Sequence, residues 1–493
     1  LHSLAKASTF ERGGGVDTSA RTKGMLVVDL DGTLLRSDML IETFWSAFGK
    51  DWRSPFLALA ALRGGKAVLK RHLAGRAALD VSLLPYDRKI VAFVQAWRDA
   101  GGRTALVTAT DERIAKAIAD HLEIFDEVHG SDGTVNLIGA RKAEFLEARF
   151  GTGQFAYIGD ATADLPVWKQ AAKAITVNVP TGLRKQVERI NAQVEHLVTE
   201  ERSPWSYVRA LRPHQWSKNI LVFVPMLAAH QLDGPTFLAS LLAFVAFCMI
   251  ASSVYVLNDL LDLAADRAHP RKRLRPLAAG DIPIRHGTWM AFGLPVLGAF
   301  ISLAAGPRFL VVMAIYYLLT AAYSLHLKRQ IVLDICVLAG LYTTRLIAGG
   351  VATQIGLSVW LLAFSVFFFL SMAAVKRQTE LIDSDERGNM QPDGRGYHVN
   401  DLPIISMIAI AAGYVAVLVL TLYVSAPGVT VLYARPEFLW GGCAVLLYWI
   451  TRTIMIAHRG QMHDDPVVYA AKDRVSQICL ILMLCFGLAG AMT

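Results

Sequence analysis

Charge is scarce in this sequence, and cysteine scarcer. Asp, Glu, Lys and Arg make up only 18% of the 493 residues, against 54% hydrophobic ones. So low a charged fraction does not fit a single soluble globule, and the mean hides a split. Residues 1–210 carry the charge of an ordinary α/β protein, whereas 219–493 are dominated by long apolar runs. The five cysteines (Cys248, Cys336, Cys443, Cys479 and Cys485) all lie in apolar runs without metal-ligand spacing. That argues against a zinc site or a disulfide framework and for small buried hydrophobes. Residues 1–24 lack the apolar core of a cleavable signal peptide; polar and Gly-rich, they are expected to be a disordered tail. The formal charge is +8, but the basic residues crowd the ends of apolar runs instead of covering a soluble face. Nucleic acid is therefore not an expected partner; anionic lipid headgroups or phosphorylated substrates are.

From Met25 the pattern is strand, helix, strand. Short apolar runs at Met25–Leu30, Thr104–Val107 and Phe155–Ile158 end in turn or acidic residues, and Asp111–Leu122 and Lys142–Phe150 read as helices between them. Strands alternating with helices predict a parallel sheet covered on both faces. Ser37–Pro85 breaks the rhythm and reads as an inserted helical cap. The expected division is a soluble domain over 25–198, a linker over 199–211 and a membrane domain over 212–493. The last holds apolar spans near 219–230, 237–257, 288–305, 309–325, 331–350, 358–375, 403–424, 437–451 and 475–492. Most reach the roughly 17–25 residues that cross a bilayer, giving an all-α bundle of about nine transmembrane helices. The first is short and interrupted by Pro225. Arg267, Arg271, Lys272, Arg273, Arg275, Arg285, Lys328, Arg329, Lys376, Arg377, Arg387, Arg395, Arg452, Arg459, Lys472 and Arg474 fall in the loops on one side; Arg308 and Arg435 fall on the other. The positive-inside rule then places the soluble domain in the cytoplasm and the bundle in the inner membrane.

The first strand ends in Asp29-Leu30-Asp31-Gly32-Thr33. Two carboxylates at i and i+2 beside a glycine turn can act as nucleophile on phosphorus and as proton donor to the leaving oxygen. Thr108, at the end of a second strand, and Lys142, opening a helix, can hold a phosphate. A third strand runs into Gly159-Asp160-Ala161-Thr162-Ala163-Asp164, whose carboxylates suit Mg²⁺. In this order the motifs resemble the haloacid dehalogenase-like phosphatase superfamily, an α/β Rossmann-like fold. The resemblance makes Asp29 the nucleophile, Asp31 the acid/base, Thr108 and Lys142 phosphate binders, and Asp29, Asp160 and Asp164 the metal site. The cap would set the substrate.

The second apolar span runs into Asn258-Asp259-Leu260-Leu261-Asp262-Leu263-Ala264-Ala265-Asp266, then His269-Pro270-Arg271-Lys272-Arg273-Leu274-Arg275-Pro276-Leu277. On one continuous helix, Asp259, Asp262 and Asp266 would share a face. Carboxylates so placed at a membrane edge need a cation, and Mg²⁺ bridging to substrate phosphate fits. This stretch resembles the UbiA-type prenyltransferase superfamily. The resemblance implies helices around a central cavity and a reaction that splits diphosphate from C1 of a donor.

The second acidic motif usual in that group is reduced here to a lone Asp334 after Tyr323-Ser324-Leu325-His326-Leu327-Lys328-Arg329. That stretch, together with Arg212-Pro213-His214-Gln215-Trp216-Ser217-Lys218-Asn219, Arg345-Leu346-Ile347-Ala348-Gly349-Gly350 and Lys376-Arg377, resembles the decaprenyl-phosphate phosphoribosyltransferase branch. The branch implies phosphoribosyl pyrophosphate as donor and a polyprenyl phosphate as acceptor, with Asp259, Asp262 and Asp266 catalytic and metal-holding. Asn258, Lys272, Arg275, Tyr323, Lys328, Lys218, Lys376 and Arg377 are the expected substrate binders. Asp464-Asp465-Pro466 can add carboxylates near the cavity. The soluble domain would then remove the 5-phosphate of the lipid product. The alternative is a prenyl transfer to an aromatic or other small acceptor beside an unrelated phosphatase activity. The sequence leaves homo-oligomerisation open.

Overall fold

The computed structural model describes residues 24–132, 136–199, 203–390, 395–426, 429, 433–462 and 465–491. The predicted tail, apart from its last residue, and Asp464 lie outside them. The chain forms two compact units. One comprises residues 1–207 together with Asp259–Gly287; the other comprises Val208–Asn258 and Thr288–Thr493. The Asp-rich segment thus groups with the soluble domain and not with the helices on either side of it.

In the first unit six strands, β1 (Met25–Val28), β2 (Arg103–Asp111), β3 (Glu127–Ser131), β4 (Phe155–Gly159), β5 (Lys173–Val177) and β6 (Val194–Leu197), form one sheet ordered β3-β2-β1-β4-β5-β6. Every pairing is parallel. Side chains alternate across a strand, so the buried run Met25–Val28 feeds two cores. Leu26 and Val28 pack with Ile90, Val94, Ala115 and Ile118 on one face. Met25 and Val27 pack with Leu146, Trp168 and Val187 on the other. The strand order reverses at β1, between β2 and β4. Ligands of open α/β sheets sit at the carboxyl ends of strands at such a reversal, where Asp29, Thr108 and Asp160 lie.

After β1 the chain inserts α1 (Met39–Lys50), α2 (Ser54–Leu62) and α3 (Lys66–Ala74), the expected helical cap. Asp38 caps α1 by accepting from the N–H groups of Leu40 and Ile41. The sheet helices follow as α4 (Arg88–Asp99), α5 (Glu112–Leu122), α6 (Ala140–Phe150), α7 (Leu165–Gln170) and α8 (Thr181–Ile190).

Eight helices among the described residues are long and apolar enough to cross a membrane, from Gly234–Leu261 to Arg474–Ala491. The sequence count was about nine. The difference lies at 219–230, where the chain runs as 3-10 turns over Pro213–Phe223 and a short helix Val224–Ala228 with Pro225 in its first turn. This stretch packs against the helix Leu333–Thr353, burying Asn219, Val222, Pro225 and Met226. A Cβ on Gly349 would lie 2.2 Å from the Val222 carbonyl oxygen, so that glycine is what lets the irregular chain approach. Outward side chains such as Trp289, Phe300, Leu318, Ile481 and Leu488 are exposed, as expected of helix faces that meet lipid.

Candidate functional site

The carboxyl end of the sheet gathers the residues of the first motif set. The Lys142 ammonium, brought by α6, donates to Asp29 Oδ1 at 2.7 Å and to the Tyr157 hydroxyl at 3.0 Å. Tyr157 in turn donates to Asp164 at 2.8 Å. Asp31 accepts from the Thr110 hydroxyl at 2.8 Å and from the Met39 N–H at 2.7 Å. Thr108 is fully buried and accepts from the Thr110 N–H at 3.0 Å. Gly32 adopts φ +76°, and a Cβ there would lie 2.2 Å from Asp160 Oδ2; only glycine lets the turn and the carboxylate share that space.

Asp29, Asp160 and Asp164 present oxygens within 4.8 Å of one another. Three hard oxygen donors at that spacing fit Mg²⁺. Burial, then the Asp38 and Asp29 charges, push Asp31 up to about 7, a suitable value for a group that both gives and takes a proton. Burial and Asp29 push Asp164 up to about 6. Sequence reasoning missed Lys70, Tyr157 and Thr110. Lys70 on cap helix α3 reaches the Ala109 carbonyl at 2.6 Å and Asn136 at 3.1 Å. A lysine in a cap carries no spacing signal toward a strand end far along the chain.

In the second unit a cavity of about 170 Å³ is lined by Lys218, Tyr255, Asn258, Tyr316, Tyr323, Tyr342, Arg345, Lys376 and Arg395, among others. Lys218 and Lys376 both donate to the same oxygen of Asp465, each at 3.0 Å. Burial opposes ionisation of Asp465, yet the two ammoniums hold its carboxyl well below the usual range. Asn258 donates to Ser324 at 3.1 Å, and Tyr323 donates to Asp334 at 2.7 Å. Arg345 is held by Asn219, Tyr316 and the Leu341 carbonyl.

Two expectations need correcting here. Arg377 does not join Lys376 on the cavity wall. It is fully buried, 2.7 Å from Asp334 and over the Tyr397 ring, with Glu380 beside it. Neighbours on a helix point about 100° apart, so only one of the pair can face the cavity. Arg395, which sequence reasoning placed merely among loop cations, lines the cavity in its stead, 3.2 Å from both Asp334 and Tyr323.

The second correction concerns the acidic row. The helix Gly234–Leu261 stops before Asp262, and a short helix Leu263–Ala268 follows. The three carboxylates therefore do not share one helical face. Asp259 and Asp266 are buried and converge on the Arg275 guanidinium at 3.1 and 2.6 Å, while Asp262 is exposed at the break. Among the described residues, the acidic trio with mutually close oxygens is Asp29, Asp160 and Asp164. Arg275, expected on a phosphate, is thus engaged by the two aspartates. Burial raises the Asp266 carboxyl, against Arg275 and Lys272. Lys272 is exposed in a 3-10 turn, and Lys328 is half-buried in another. Two buried carboxylates with hard oxygens, followed by a run of cations, remain a fitting donor set for Mg²⁺ with a diphosphate.

The family model for the UbiA prenyltransferase family matches residues 219–486, more than half of the chain. The chain belongs to the UbiA prenyltransferase family. The haloacid dehalogenase-like hydrolase model matches residues 26–169, so this member carries a haloacid dehalogenase-like domain ahead of its membrane bundle, and it is a multi-pass membrane protein. The uncharacterized protein y4nM of Sinorhizobium fredii is 36% identical over 92% of this chain and 88% of its own length. Nodulation protein NoeC of Azorhizobium caulinodans is 41% identical over 57% of this chain and 92% of its own length. Decaprenyl-phosphate phosphoribosyltransferase of Mycolicibacterium smegmatis is 44% identical over 37% of this chain; the chain spans 58% of that relative. A UbiA homolog from Archaeoglobus fulgidus, solved with GPP and Mg²⁺, overlays with a TM-score of 0.45 at 14% identity, covering 57% of this chain and 99% of that one.

Proposed function

We propose that the membrane domain transfers phosphoribose from phosphoribosyl pyrophosphate to a polyprenyl phosphate, and that the haloacid dehalogenase-like domain removes the 5-phosphate of the product. The observation that carries the reading is the density of cations about the cavity. Lys218, Lys376, Arg345 and Arg395 line it. A donor with a diphosphate and a 5-phosphate, meeting a lipid phosphate, brings more negative charge than a prenyl diphosphate alone. The similarity to decaprenyl-phosphate phosphoribosyltransferases supports the same choice.

Asp259 and Asp266 would hold Mg²⁺, which when bound neutralises the leaving pyrophosphate. On this reading Arg275, held by the two aspartates, passes to a phosphate oxygen as substrate arrives. Lys218 and Lys376 give a phosphate two ammoniums that Asp465 now engages. The lipid phosphate oxygen attacks ribose C1 as the bond to pyrophosphate breaks.

In the phosphatase domain Asp29, Asp160 and Asp164 would hold the second Mg²⁺, whose charge screens carboxylate from phosphate. Asp29 attacks the 5-phosphate to give an aspartyl-phosphate, Lys142 steadies the phosphoryl oxygens, and Asp31 protonates the departing ribose oxygen. Asp31 then takes a proton from the water that frees Asp29. The excess of Lys and Arg in the loops on one side supports a bundle in the inner membrane with the phosphatase domain in the cytoplasm. Fusion keeps the phosphatase concentrated where its substrate is made.

Purified protein supplied with polyprenyl phosphate and radiolabelled phosphoribosyl pyrophosphate is expected to move label into the lipid phase. Label that stays in the aqueous phase, together with pyrophosphate release from a prenyl diphosphate and a small aromatic acceptor, would favour prenyl transfer.

A further inference from the structure

Arg267 is absent from both catalytic sets, yet it is buried in the middle of the Asp-rich segment. Its guanidinium donates to Glu42 at 2.6 and 3.2 Å, and its Nε donates to the Ala278 carbonyl at 3.1 Å. Glu42 also accepts from the Ser37 hydroxyl at 2.7 Å. The side chains are 6% and 2% exposed. A buried ion pair persists only where its desolvation is offset by close, complete hydrogen bonding, and both partners here have it.

We infer that Glu42 and Arg267 are a positioning pair that fastens the transferase's Asp-rich segment to the phosphatase fold. Asp266 would then take its geometry from a domain whose own chemistry is different. The inference rests on the reading above that Asp266 serves the transfer step. Three further contacts within the same unit follow the segment along its length. A Cβ on Gly49 of α1 would lie 3.0 Å from the Leu261 carbonyl oxygen. Gly280, at φ +79°, lies so close to Arg36 and Pro85 that a Cβ would meet them at 3.0 and 3.2 Å. Tyr207 and His286 share a hydrogen bond of 2.6 Å.

The pair stands one step from the transfer reaction, and the contact with the phosphatase site is made by another residue of the same helix. Glu42 is one turn into α1, whose first residue, Met39, donates its N–H to the acid/base Asp31. Arg267 directly follows Asp266, which holds Arg275 at 2.6 Å. One short helix thus braces the phosphatase's proton carrier at its start and the transferase's acidic segment a turn later. The phosphatase domain serves the transfer reaction as a scaffold, separately from its hydrolysis of phosphate.

The test uses the full-length protein in detergent and the paired variant Glu42→Gln/Arg267→Met, which leaves neither charge buried alone. Hydrogen exchange over Leu263–Gly280 is expected to quicken, and kcat for transfer to fall about tenfold with KM nearly unchanged, as for a misplaced catalytic group. Hydrolysis of p-nitrophenyl phosphate stays at the unmodified rate, showing the phosphatase fold intact. Arg267→Lys, which keeps the charge but loses the fork, falls between. Unmodified exchange and unmodified transfer in the paired variant would overturn the inference. Loss of p-nitrophenyl phosphate hydrolysis in step with transfer would overturn it too, by assigning the pair to folding in general. Should the unmodified protein make no lipid-linked product from phosphoribosyl pyrophosphate, the proposed reaction falls, while the exchange measurement needs no substrate and still decides the pair.

Discussion

Individual side chains separate cations that line the cavity from cations that hold the bundle together. Lys376 and Arg377 are neighbours in sequence, yet one lines a cavity and the other is sealed against Asp334. Removing one partner of a buried pair leaves the other charge uncompensated, at a cost of about 3–5 kcal/mol. Asp334→Asn is therefore expected to lower resistance to thermal unfolding in detergent by that order, and Lys376→Met to lower it far less. Lys376→Met should instead raise KM for the anionic donor by about tenfold, a loss of roughly 1.4 kcal/mol of binding, read from initial rates. Gly32 supplies a third contrast at this scale. Gly32→Ala forces a Cβ into Asp160 at a left-handed φ, and p-nitrophenyl phosphate hydrolysis should fall by about a hundredfold or more.

Elements set which of these residues was legible in the sequence. Strand ends announce themselves, because a buried β-run terminating in acidic and glycine residues can be read locally. Asp29, Asp31, Asp160 and Asp164 were found that way, and parallel pairing on both sides of β1 brings them together. Helix ends are less legible. The spacing of Asp259, Asp262 and Asp266 fits one helical face, but the helix stops before Asp262, and no Gly or Pro marks the stop. Contacts across long sequence separations were not legible at all: Lys70 to Ala109, Arg395 to Asp334, Glu42 to Arg267. The first of these yields a prediction about the cap. Lys70 sits among the site's charges: burial lowers its pKa, while Asp31, Asp38 and Asp29 oppose that shift. Lys70→Met should cut phosphatase kcat/KM by about tenfold, whereas Lys66→Met on the exposed start of the same helix should leave it unchanged.

At the scale of the whole molecule, hydropathy alone separated a soluble α/β part from an apolar helical part, and eight helices long enough to span a bilayer bear out the second. The boundary was harder to see. Asp259–Gly287 groups with the soluble fold, although its sequence reads as one loop of the bundle, because its packing partners lie in residues far upstream. A fused chain whose acidic segment is braced by its phosphatase should couple two reactions on one lipid.

The product made by Asp29→Asn tests that claim most directly. Full-length protein supplied with polyprenyl phosphate and phosphoribosyl pyrophosphate is followed by mass spectrometry of the extracted lipid. The unmodified protein is predicted to yield polyprenyl-phosphoryl ribose, and Asp29→Asn the same lipid heavier by one phosphate. An identical lipid product from both proteins would contradict the account.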